Sequence, residues 1–235
     1  MAFVLDIPDI PSIPDAPTMC IVVPKGFQAL LMAVGLIRKL ASEHPKVLVC
    51  TELAHLKHLS RLFAGLNVTF WFDVEDPVTR AREKGFDILI LPPDPQGMYA
   101  AANLPTSHMH SDWHAQRHLA KETQLVNEVV NRFGPSFVLL WPGDDPSRIH
   151  PKLLPQGIPV VDGTALGVDD PFDLCGLIEC AMQVHAVDGW FLTLADLVGG
   201  NSRKFCHAYA GGTSAPACRK RYRRRVNIIC RSRVR

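Results

Sequence analysis

No apolar run in this sequence approaches the roughly 20 residues that cross a bilayer. The longest, Ala29 to Ile37 and Phe137 to Trp141, stop far short, so no transmembrane helix is expected. The N-terminus passes from Met-Ala-Phe-Val-Leu directly into Asp and Pro, without the basic and apolar regions of a secretory leader. The expected location is cytoplasmic. CxxC pairs are missing too, and the seven cysteines are odd in number, which argues against a disulfide framework and a cysteine-built structural zinc site. They are expected as reduced thiols. Acidic residues are absent beyond Asp196: residues 197–235 carry 11 basic groups and no acidic one, whereas residues 1–196 carry 14 basic against 23 acidic. Such a tail suits phosphates, an anionic surface or nucleic acid, or it docks on the acidic remainder of its own chain. Tyr222 is the one aromatic residue of 219–235, so the aromatics that interleave with cations in nucleic-acid readers are lacking.

What is present is a core and a rhythm. With 47% hydrophobic residues in 235 positions, the chain can fill a sizeable core. Proline recurs at every third position (Pro8, Pro11, Pro14, Pro17), the period of polyproline II, which predicts an extended arm over 1–18. From Met19, short β-branched runs alternate with segments of helical period. Strands are predicted at 19–23, 46–50, 68–72 and 86–91, with helices at 27–42, 53–64 and 77–84. A linker with Pro92, Pro93 and Pro95 is predicted over 92–105, then a helix from about Asp112 to Arg132. The alternation resumes with strands at 137–141, 159–162, 183–187 and 204–209 and helices at 171–181 and 191–198. The pattern predicts an α/β protein of two Rossmann-like parallel-sheet lobes, 19–105 and 106–218, between a proline-rich arm and a basic tail over 219–235. Ligands of such folds bind at the carboxyl ends of the strands, here facing a common cleft.

Four histidines, His108, His110, His114 and His118, lie within eleven residues, and the last three share the spacing of one helix face. Three readings stay open: a transition-metal site with Asp112 close by, a general base for the cleft supplied by Asp112, His110 or His114, or exposed polar surface. Asp144 and Asp145 follow a strand, where binding groups collect, yet the same sequence suits an Asx turn.

The stretch Phe137 to Arg148, with Trp141-Pro142-Gly143-Asp144-Asp145-Pro146-Ser147-Arg148, resembles a known family. So do Leu154 to Val161, Phe172 to Glu179 and Val184-His185-Ala186-Val187-Asp188 with Phe191 to Asp196. They are similar to the C-terminal half of GT-B glycosyltransferases of the heptosyltransferase-like and fucosyltransferase-like kind, over about 135 to 210. The N-terminal lobe is similar by pattern alone. The resemblance implies a GT-B-like fold, a nucleotide-sugar donor on the C-terminal lobe, a glycan or glycoconjugate acceptor on the N-terminal lobe, and neither metal nor cofactor. It makes Arg148, Asp188, Gly189, Trp190, Phe191 and Glu179 the donor side, with Arg148 clamping a phosphate and Glu179 reaching the ribose. Gly26 and Gln28 form the acceptor or anion loop. Relatives commonly carry an aspartate before the first helix as general base, whereas Gln28 and Ala29 stand there in this chain. An amide takes no proton from a sugar hydroxyl, so another group serves or the protein is a catalytically silent nucleotide-sugar or anion binder. A nucleic-acid-associated protein that uses the tail is the third alternative.

Overall fold

The computed structural model describes residues 18–144, 149–207 and 226–229. In the first lobe, β1 (Thr18–Val22), α1 (Phe27–Glu43), β2 (Lys46–Thr51), α2 (Leu56–Leu62), β3 (Val68–Phe72), α3 (Pro77–Glu83) and β4 (Asp87–Ile90) follow in turn. The four strands are all parallel, in the order β3-β2-β1-β4. Val47 to Cys50 of β2 are buried one after another, the mark of a strand covered on both faces. Helix α1 is buried continuously from Ala29 to Ile37, because it is packed by sheet, by neighbouring helices and by the second lobe at once.

The second lobe follows α4 (Pro95–Ala101), α5 (His108–Ser111) and α6 (Leu119–Phe133). It contains β5 (Val138–Trp141), β6 (Val160–Asp162), α7 (Cys175–Cys180), β7 (Gln183–Ala186), α8 (Trp190–Val198), β8 (Arg203–His207) and β9 (Val226–Ile229). Its strands are also parallel, ordered β6-β5-β7-β8-β9. The expected architecture of two Rossmann-like parallel-sheet lobes is therefore the observed one. A single apolar cluster runs through both, joining Leu31 and Leu36 of α1 to Phe172, Phe191 and Leu194.

Three local expectations are corrected. The proline-rich 92–105 stretch is not a plain linker: Asp94 accepts a hydrogen bond from Gly97 N, Pro95 takes the first helical position, and α4 results. The helix placed at Asp112 to Arg132 begins at Leu119, where His118 is the N-cap accepting from Lys121 N. His110 and His118 thus belong to different elements and share no helix face with His114. The basic 219–235 stretch, read from charge as a tail, contains β9, whose Val226 is buried beside β8. Tyr209 lies outside the described residues.

A polar clamp ties the lobes. Arg61 Nη1 on α2 donates to Asp170 Oδ2 at 2.7 Å and Asp173 Oδ1 at 2.8 Å, and its Nε donates to Gln116 O at 2.8 Å. The guanidinium also lies 5.3 Å from the centre of the Phe172 ring. Removing the cation leaves two mostly closed carboxylates with only longer contacts, His58 Nδ1 at 3.8 Å from Asp170 and Lys121 Nζ at 4.0 Å from Asp173. Arg61→Ala is expected to cost roughly 2–4 kcal/mol, read as a lower midpoint in urea unfolding; an unchanged midpoint refutes the clamp.

Candidate active site between the two sheets

The carboxyl ends of both sheets open on the same cleft. On one side β1 runs through Pro24–Lys25–Gly26 into α1. Gly26 is the N-cap with φ 96°, a left-handed conformation that favours glycine. Its N–H donates to Glu52 Oε2 at 2.5 Å, and Glu52 also meets His55 Nε2 at 3.2 Å. The amide expected to hold an anion is thus already engaged by a carboxylate of the chain itself.

On the other side β7 runs through Val187–Asp188–Gly189 into α8. The first intrahelical bond of α8 is Thr193 N to Gly189 O at 3.1 Å, so the amides of Trp190, Phe191 and Leu192 precede it and point out of the helix start. A hollow of about 540 Å³ lies over this helix start, lined by Trp141, Asp144, Thr164, Asp188, Gly189 and Trp190 among others. Next to it, a hollow of about 420 Å³ is lined by Lys25, Gly26, Phe27, Gln28, Pro93 and Trp190. Trp190 is the wall common to both.

Aromatic packing fixes that wall. Trp141 stacks on Phe191 with centroids 4.4 Å apart and meets Trp190 edge-on at 5.1 Å, while Phe27 approaches Trp190 at 5.9 Å. Gly163 makes room for the Trp141 ring, since a Cβ there would lie 2.8 Å from Trp141 Cε3. Between the hollows, Gln28 Nε2 donates across the lobes to Asp188 Oδ1 at 3.2 Å and to Thr193 Oγ1 at 3.1 Å.

The structure brings Gly26, Gln28, Asp188, Gly189, Trp190 and Phe191 together, with Phe191 buried as part of the wall. It separates the others. Glu179 sits near the end of α7, beside the amino edge of β7, and pairs with both Nη atoms of Arg117 at 2.7 and 2.9 Å. Asp112 accepts from His108 Nδ1. Both sit against α1 far from its first turn: His108 touches it at Gly35, and Asp112 influences Arg38 and Lys39. At 1.5 Å rise per residue, Arg38 is about 15 Å along the helix from Gln28. His110 Nε2 is 3.7 Å from Asp196 Oδ2, two turns down α8, and His114 is exposed outside both hollows. None of the three lines the cleft. Arg148 and Asp145 lie outside the described residues. Thr193 and Thr164 escaped sequence reasoning; Thr193 carried a signal, standing four residues beyond Gly189 on the face that returns to the helix start.

No model of a protein family matches this sequence, and no curated protein matches it. Two solved structures share its fold. One is a glycosyl transferase of family 9 from Veillonella parvula DSM 2008, at TM-score 0.55 and 9% identity, over 92% of this chain and 87% of that one. Another is the E. coli ADP-heptose lps heptosyltransferase II, at TM-score 0.53 and 12% identity, over 90% of each chain. The chain therefore has the heptosyltransferase-like GT-B fold.

Proposed function

We propose that the protein is a glycosyltransferase that moves a sugar from a nucleotide-sugar donor to a carbohydrate or glycoconjugate acceptor. The observation that carries this reading is the pair of adjoining hollows, one at the carboxyl end of each sheet, with Trp190 between them. A transferase needs two substrates side by side with their reacting atoms facing, and two opposed parallel sheets supply that. The solved structures of the same fold bear glycosyltransferase names.

In this reading the donor diphosphate meets the amides at the start of α8, where helix geometry favours negative charge. The nucleoside or sugar lies on Trp141 and Trp190, whose faces stack on rings. Among the described residues, the lining of that hollow holds Asp144 and Asp188 but no lysine or arginine. The cation for the leaving diphosphate is assigned to Arg148, whose planar fork matches two phosphate oxygens. Transfer then needs no metal. Arg148→Lys is expected to impair donor turnover and Arg148→Ala to lower it further, by about 100-fold; an Arg148→Ala protein that matches the parent refutes the assignment.

A panel of nucleotides and nucleotide sugars in thermal-shift and calorimetric titrations tests the whole reading, because a ligand of the native state raises its melting temperature. If no member binds, the reading fails. A second reading, a binding protein without turnover, is favoured by Gln28 and Ala29, neither of which accepts a proton; release of nucleoside diphosphate from the donor decides against it.

A further inference from the structure

We propose that Asp188 is the general base of the transfer and that Gln28 is the residue that positions it, an inference that rests on the glycosyltransferase reading above. A base has to reach the acceptor hydroxyl and lie beside the donor's anomeric carbon at once. Asp188 lines the donor hollow, and its Oδ1 receives Gln28, which lines the acceptor hollow. The carboxylate therefore lies at their junction.

Two contacts fix which way the Gln28 amide faces. Thr193 Oγ1 donates to Gly189 O at 3.1 Å, so the hydroxyl oxygen acts as acceptor toward Gln28. An ionised carboxylate only accepts. Both contacts thus require the amide nitrogen, whose two hydrogens go one to Asp188 and one to Thr193. This fork holds the carboxylate of one lobe against the first turn of the other lobe's leading helix.

Among the described residues, the other titratable groups beside the two hollows lack that position. Asp144 lines the donor hollow alone, Lys25 lines the acceptor hollow alone, and Glu52 is engaged by Gly26 N and His55. An aspartate at position 28 would place a second carboxylate against Asp188, so the glutamine and the displaced base belong together. In the step, the acceptor hydroxyl gives its proton to Asp188 and its oxygen bonds to the anomeric carbon. The bond from that carbon to the phosphate oxygen breaks, and its electron pair leaves on the nucleoside diphosphate.

The test measures nucleoside diphosphate released by the full chain from ADP-heptose, UDP-glucose and GDP-fucose, with water or added sugars as acceptor. Parent, Asp188→Asn, Gln28→Glu and Gln28→Ala are compared, with donor affinity by calorimetry. Asp188→Asn keeps the shape and the contact with Gln28; it is expected to lower kcat about 100-fold while donor Kd stays within about threefold. Gln28→Glu sets two carboxylates in contact, which raises the pH at which the base loses its proton. Its acid limb should move up by about one pH unit, a change that a purely structural glutamine would not produce. Asp188→Asn that turns over like the parent overturns the base while leaving the glycosyltransferase reading in place. So does an unmoved acid limb in an active Gln28→Glu. A parent that binds donor without releasing diphosphate also overturns the base, whereas a parent that binds none overturns the reading beneath it.

Discussion

Gly189→Val should abolish donor binding while the protein stays folded. Gly189 has φ 166°, extended backbone open to any residue, and a Cβ built there meets nothing within 4 Å. The added Cβ therefore costs no backbone strain and meets open space. It projects from the start of α8 beside the hollow, where the proposed diphosphate must approach the amides of Trp190 and Phe191. Hydrogen bonds to a charged group contribute about 1.5–3 kcal/mol each, so loss of two weakens binding about 100-fold or more. Calorimetry with the donor and a melting curve together check this. A melting temperature within about 2 °C of the parent and a lost isotherm are expected; unchanged affinity in the folded variant moves the diphosphate elsewhere.

The contrast with Gly26 shows why the two glycine turns, alike in sequence, differ in structure. Both stand between a strand and a helix. Gly26 adopts a left-handed φ and spends its amide on Glu52, a residue 26 positions away that no local pattern pairs with it. Gly189 is extended and precedes three amides that come before the first helical bond. Sequence period showed where each turn would fall; it could not show which one a distant carboxylate would close.

The alternation of apolar strands and helical segments made the two parallel sheets legible, because strands buried on both faces must read as continuous β-branched runs. Val68–Phe72 was placed to the residue. Errors came where a local signal had two meanings. Prolines at 92, 93 and 95 signal a break, but Pro95 after Asp94 is also an ideal helix start, and the helix formed. Histidines at spacing four imply one face only if the helix is continuous; His118 instead caps a later helix. Nine positive charges in 17 residues concealed a short apolar strand, Val226–Ile229, whose partner β8 supplies the ladder. The site's organising contact, Gln28 to Asp188, joins residues 160 apart and had no sequence signature beyond the unusual glutamine itself.

Acid should weaken this protein as the pH falls from 6.5 toward 4. His185 on β7 and His207 on β8 are each 1% exposed, with His185 Nδ1 3.0 Å from His207 Nε2 and His185 Nε2 2.9 Å from Gln183 Oε1. Given that the Gln183 carbonyl can only accept, His185 donates from Nε2 and must accept at Nδ1, so His207 is the donor across the pair. Protonating His185 would turn two N–H groups toward each other. The Phe205 ring, stacked on His185 at 4.5 Å, offers no counter-charge. Burial lowers the pKa of His185 to about 4, and burial together with His185 does the same for His207. The unfolded chain binds these protons near pH 6.5, the folded protein only near 4, so above 6.5 the pair leaves stability unaffected. As pH falls from 6.5 toward 4, the unfolded state gains protons that the native state refuses, and stability is lost. The loss at pH 5 is about 2 kcal/mol for each histidine, a large part of an ordinary domain's stability. Urea unfolding at pH 7 and pH 5 measures it, with His185→Leu/His207→Leu as the comparison. The parent should lose several kcal/mol between the two pH values and the double variant far less; equal losses in both would show that the pair does not govern acid sensitivity.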